Sequence, residues 1–246
     1  MADFNIAFPK TVSNEGYYVS QEWARAHGDS RSGETYMGID RGANPTWEGW
    51  AVIDRYKAQH GTPGWNFRFP VELGLEDMVK KRAKALYWDA IKGDEIQNQD
   101  VAEIIFEQKW GGYGGIKRIQ QVMNTMLPNP VKANGVVGSD TLTAINSLPP
   151  AKLHSAIWND RKTWIETVGA KVNAGAVKGW LSRLDRFKSS IGEDITRAEQ
   201  AISETAHKGL DIVKKKPVIL VTGVVLLLVS GFFIYKYYST RQTTTT

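Results

Sequence analysis

The 246-residue chain has no cysteine, which excludes disulfides, thiol nucleophiles and thiolate zinc sites while leaving the redox compartment open. Histidine is scarce. Its four copies lie far apart, with no His-Glu-x-x-His and no paired ligands, so the pattern of a zinc peptidase or amidase is missing. The densest glycine run, Gly111 to Gly115, has neither Gly-x-Gly-x-x-Gly nor a Gly-Lys-Ser/Thr ending. Nucleotide binding is therefore rejected, no cofactor or metal is expected, and these glycines are read as allowing close helix approach or opening a cleft wall. Met1 to Lys10 has neither the basic start nor the apolar run of a signal peptide, so none is expected.

What is present is enough apolar residue, 42%, for one good core plus an appendage. A net charge of +5 favours polyanionic surfaces, of which cell wall suits the remaining features better than phospholipid or nucleic acid. The nine Trp and nine Tyr are compatible with carbohydrate stacking, although most such rings fill cores.

The most informative stretch is Ser13 to Asp40. Phe4, Ala7, Phe8 and Val12 make a helix-compatible segment running into Glu15, with Pro9 tolerable in a first turn and Gly16 suited to the position just past a helix end. Glu15 is thus expected on the last turn. There the carbonyl end of the helix disfavours negative charge, and Tyr17, Tyr18 and Trp23 are placed to strip water from the carboxyl group. A carboxylic acid that keeps its proton near neutral pH is what glycoside hydrolysis needs at the leaving oxygen. The bland alternative is a helix-terminal Glu pointing into solvent. The Gly-punctuated residues that follow suit a small hairpin and deliver Asp29 and Thr35, a second carboxylate and a hydroxyl to hold the attacking water. Asp29 as an ordinary turn residue competes with that role, and Glu22 and Glu34 are alternative carboxylates.

Glu15-Gly16-Tyr17-Tyr18, then Ser32-Gly33-Glu34-Thr35 and Gly38-Ile39, resembles the Glu-Gly-Gly-Tyr and Gly-Gly-x-Thr-x-x-Gly-Ile signature of glycoside hydrolase family 108, the phage and bacterial N-acetylmuramidases. The likeness continues through Tyr87-Trp88-Asp89, Ile105-Phe106-Glu107, Asn134 to Leu142, and Gly179-Trp180-Leu181-Ser182-Arg183, covering about residues 3 to 187. The later motifs are similar to the predicted peptidoglycan domain that follows the catalytic segment in that family. Departures are Tyr17 for the second Gly, Ser32 for the first Gly of the pair, Asn134 for an Asp, and the Trp110 to Gly115 run where relatives carry an Asn-containing turn. The resemblance implies a lysozyme-like fold acting on peptidoglycan, with Glu15 as catalytic acid assisted by Asp29 or Thr35. Tyr17, Tyr18, Tyr36, Gly38, Trp110 and Tyr113 form the expected substrate-contacting set.

The expected fold class is mainly α, of the lysozyme-like α+β kind, with a small hairpin near the site. Helical periodicity is read over Asn44 to His60, Leu75 to Ile91, Gln99 to Trp110, Ile116 to Met126, a segment capped by Ser139, Ala151 to Val168, and about Ala176 to Ser189. Residues 1–127 are assigned to the catalytic segment and 128–189 to the peptidoglycan-domain-like segment. A charged helical stalk follows over 190–213, then a transmembrane helix over 214–238 and a polar tail over 239–246. Pro217 to Tyr235 carries no charge and is long enough to span a bilayer, flanked by Lys214-Lys215-Lys216 and by Lys236 and Arg241. The expected protein is single-pass with a C-terminal anchor, in a host cell membrane or the membrane of a phage particle. Its expected partners are peptidoglycan and lipid, with self-association or other virion proteins as further partners and no nucleic acid. A lytic transglycosylase and a catalytically inactive wall-binding virion protein are the competing readings.

Overall fold

The computed structural model describes residues 1–27 and 33–188. Asp29, the stalk, the apolar run over 217–235 and the tail lie outside the described residues. Among those described, no helix is long and apolar enough to cross a membrane. In chain order the elements are α1 (Phe4–Val12), β1 (Tyr18–Val19), α2 (Gln21–Ala26), β2 (Thr35–Tyr36), β3 (Ile39–Asp40), α3 (Gly49–His60), α4 (Leu75–Ala83), α5 (Gln99–Gly111), α6 (Gly115–Asn124), α7 (Ser139–Ser147), α8 (Pro150–Trp164), α9 (Ala170–Val172) and α10 (Val177–Asp185). The described body is mainly helical with one small sheet, as the sequence implies.

Helix α5 is the centre of the core. Every residue from Val101 to Gln108 is buried, so the helix is covered on every side, with the polar Glu103, Glu107 and Gln108 among the apolar side chains. Helices α1, α6 and α8 supply that cover. Asn98 caps its start by accepting from the Val101 amide at 3.0 Å, and Gly112, with φ of 79°, ends it.

Helix α1 buries Phe4, Ala7, Phe8 and Thr11, an i, i+3, i+4, i+7 stripe, and Asp3 caps it through the Asn5 amide at 2.7 Å. It stops at Val12, so Glu15 is not on its last turn as expected. Pro9 sits well inside the helix, where it lacks the donor for a ladder bond, and Glu15 instead closes a turn by donating its amide to the Val12 carbonyl at 2.8 Å. Gly16 does not take the left-handed backbone expected of a helix stop. Its lack of a side chain matters for a different reason, since Asn66 Oδ1 lies 3.1 Å from where a Cβ would stand.

The sheet is antiparallel in the order β1, β2, β3, pairing Tyr18 with Tyr36 and Tyr36 with Ile39. A two-residue turn joins β2 to β3, and both its residues, Met37 (φ 46°) and Gly38 (φ 81°), have the positive φ that such tight hairpins require. Elsewhere the helical expectation needs trimming. The 75–91 helix loosens after Ala83 into wider and then tighter turns, which carry the Trp88 ring into the core with its Nε1 donating to Asp94 Oδ1 at 2.7 Å. The 44–60 helix becomes regular only at Gly49, after Trp47 has turned inward to full burial. Ser139 is the first helical residue of α7 and makes no cap bond.

An ion cluster around the buried Glu34 ties the sheet to α3. Glu34 accepts from Tyr18 Oη at 2.5 Å, from Lys57 Nζ at 2.8 and 3.0 Å, and from Arg41 Nη1, while Arg41 also grips Asp54 bidentately at 2.7 Å. Burial alone pushes the Glu34 carboxyl up, but the bonds from Lys57, Tyr18 and Arg41 outweigh it and hold the group below the ordinary carboxylate value of 4.5. His154, by contrast, is pushed below its ordinary 6.5 by burial. Both groups bind fewer protons folded than unfolded in the range just below those values, so stability falls as pH drops. We expect denaturant midpoints to decline first below about pH 6.5, through His154, and more steeply below about pH 4.5, through Glu34. Glu34→Gln should shrink the second decline without abolishing it, because Asp54 and Asp94 are also held below the ordinary carboxylate value, and urea titrations at stepped pH would register the difference.

Candidate active site

The loop after α1 brings Glu15 beneath the tip of the β2–β3 hairpin and beside the end of α5. A Cβ on Gly38 would stand 2.9 Å from Trp110 Cζ2 and 3.0 Å from Glu15 Cγ, so only glycine lets the hairpin turn close over the carboxyl group. Gly38→Ala meets that obstruction and a left-handed backbone together. It should cost about 1–2 kcal/mol from the backbone alone and displace Glu15, lowering activity more than stability. Paired thermal melts and rate assays would separate the two losses.

Glu15 is held by two donors, both on the same oxygen. Trp110 Nε1 donates to Oε1 at 3.0 Å, and Arg183 Nη1, from α10, donates to Oε1 at 2.7 Å. Among the described residues no donor falls on Oε2. The side chain is 20% exposed, so it lies at a surface rather than in the core.

Behind Glu15 runs a line of alternating charge. Arg183 Nε donates to Glu107 Oε1 at 2.5 Å, and Arg161 Nη2 donates to that same oxygen at 3.1 Å. Glu107 and Arg161 are wholly buried, so each charge exists only because its neighbour neutralises it. Burial works against the charge on Arg183, yet Glu107 and Glu15 outweigh it and push the guanidinium above its ordinary range. It remains a cation wherever the protein is folded.

The other expected site residues divide into those near Glu15 and those turned away. Trp110 touches the carboxylate directly, and Gly38 forms the roof. Tyr17 is half-buried, with its amide bound to Asn66 Oδ1 at 2.8 Å and the Arg68 guanidinium over its ring at 5.3 Å. Thr35 lies on β2, three residues ahead of Gly38. Tyr18 and Tyr36, expected to meet substrate, face the core instead because they are directly paired across β1 and β2 on the inward side. The Tyr18 hydroxyl is committed to Glu34 and the Tyr36 ring is edge-on to Phe69. Tyr113 also turns inward, covering Arg161 at 4.0 Å and meeting Trp164 edge-on. Trp23, expected to dehydrate Glu15, stacks on His27 at 3.8 Å and on the exposed Trp65 at 5.5 Å. Of the alternative carboxylates, Glu34 is consumed by its cations and Glu22 is exposed.

Sequence reasoning assigned no role to Arg183, Glu107 or Arg161. One signal was available, because Glu107 directly follows the apolar Ile104-Ile105-Phe106, and a carboxylate carried into a core beside such residues demands a cation. Nothing local says which one.

A helical body with a small antiparallel sheet, and an acid placed between its first helix and the hairpin tip, is lysozyme-like α+β in class. Residues 8–112 match the family model Glycosyl hydrolase 108 and residues 114–185 match the Predicted Peptidoglycan domain, which together support a peptidoglycan hydrolase of the glycoside hydrolase type. Among solved structures the chain is similar to SagA of Brucella abortus, with 24% identity, a TM-score of 0.53, and coverage of 75% of this chain and 90% of that one. That likeness concerns the fold. No curated protein matches the chain significantly.

Proposed function

We propose that the protein is a membrane-anchored N-acetylmuramidase, hydrolysing peptidoglycan strands between N-acetylmuramic acid and N-acetylglucosamine. Glu15 passes its proton to the glycosidic oxygen, the C1–O bond breaks with its electron pair going to that oxygen, and water adds to C1 while its proton passes to a carboxylate, which restores the acid for the next turnover. The observation that carries this reading is the one-sided hold on Glu15. With Trp110 and Arg183 both on Oε1, the acid's carbonyl oxygen is defined and Oε2 carries the transferable proton. Asp29 or Thr35 positions the water, a role for Asp29 that rests on the sequence resemblance. Tyr17, Gly38 and Trp110 line the substrate side, and the flat face of Trp65, 59% exposed, offers a sugar ring an apolar surface.

The nineteen uncharged residues over 217–235 serve as the anchor, in a host membrane or in the membrane of a phage particle that must breach a cell wall. Peptidoglycan is the principal partner, and self-association or other virion proteins would organise the anchored enzyme. A zymogram with embedded sacculi tests the reading: we expect a cleared zone from the full chain. Retention on sacculi without clearing would favour a wall-binding virion protein that keeps the shape without the chemistry.

A further inference from the structure

Arg183 and Glu15 are 168 residues apart, and they lie in the segments matched by two different family models. The segment that carries the peptidoglycan-domain match therefore contributes a side chain to the carboxyl group that carries the chemistry. We infer that Arg183 is a positioning residue for Glu15, so that glycan cleavage requires both segments as one catalytic unit. This inference rests on Glu15 being the acid.

The physical case has three parts. First, the guanidinium is itself fixed. Its Nε is bound to Glu107 Oε1 at 2.5 Å, and Glu107 is fixed in turn by Arg161, which is wholly buried and covered by the Tyr113 ring at 4.0 Å. A charge anchored this firmly loses little freedom on reaching one further partner. Second, it donates to the oxygen that also accepts from Trp110, so the two donors set the rotation of the carboxyl group and leave Oε2 for the proton. Third, proton transfer to the glycosidic oxygen leaves a carboxylate behind. The Arg183 cation stabilises that product charge more than it stabilises the neutral acid, which is the differential binding that lowers a barrier.

Arg183→Met in the full chain is the test, because Glu107 keeps Arg161 and the fold survives the change. Muropeptide release should fall about 10²-fold at its optimum with KM little changed, the scale expected when a reacting group is displaced by about 1 Å. The loss should therefore lie in kcat. Arg183→Lys, which keeps the charge but not the two-sided grip, should restore part of the rate. The inference is overturned if the Met variant keeps the wild-type rate, if its loss lies in KM with kcat unchanged, or if the Met and Lys variants lose rate equally. Failure of the wild type itself to release muropeptides would instead strike the assignment of Glu15 as acid, and the inference with it.

Discussion

Glu15→Gln loses essentially all muropeptide release, by at least about 10³-fold, while its melting temperature stays close to that of the wild type. The size follows from removing the proton that leaves with the aglycone, since positioned acid catalysis contributes roughly 10² to 10⁴. Folding is spared for reasons visible in the contacts. The amide keeps the volume of the acid and an oxygen for Trp110 Nε1, and Arg183 retains Glu107 as its counter-ion. Glu15 is also partly exposed, so no unpaired buried charge results. The comparison is made at equal concentrations of folded protein, with the far-ultraviolet spectrum and thermal melt as controls. Wild-type rates in the variant would remove Glu15 from the mechanism.

Glu107→Leu acts on stability with comparable force. It strands Arg161, a wholly buried cation whose Nε and Nη1 have no other partner among the described residues. Breaking a buried pair from one side costs about 3–5 kcal/mol, because the remaining charge stays desolvated. That is a large part of the stability of an ordinary domain. Removing Arg161 as well, in Glu107→Leu/Arg161→Met, should recover part of the loss, since that buried pair gives way to apolar contact beside Phe106 and Tyr113 while Arg183 keeps Glu15 as its counter-ion. Denaturant unfolding of the single and double variants makes the comparison. Equal destabilisation in both would mean that packing, not charge, holds this part of the core.

These two predictions also mark where the sequence was readable. Apolar periodicity located α1, α5 and α8 because each buries a long stripe, and a stripe repeats often enough to be seen. Glu15 stood out through its place beside Gly16 and, with Gly38, through the Glu-Gly and Gly-Ile motifs that carry the family resemblance. The two tyrosines were misread for a specific reason: β1 and β2 are two residues long, too short for alternation to show which face is inward. Helix α1 ended early because its last bonds tighten, the Asn14 and Glu15 amides reaching back three residues to the Thr11 and Val12 carbonyls, a local turn that periodicity does not register. Arg183 was invisible for a different reason. Its contact with Glu15 closes almost the whole described chain, and only the packing of α10 beside the ends of α1 and α5 creates it.

The most direct test of the account is mass spectrometry of the new chain ends in purified sacculi digested by the full protein. A muramidase leaves reducing N-acetylmuramic acid, produced by the wild type and not by Glu15→Gln, and that is the result expected here. Ends carrying 1,6-anhydro rings, reducing N-acetylglucosamine, or identical products from the acid-deficient variant would contradict it.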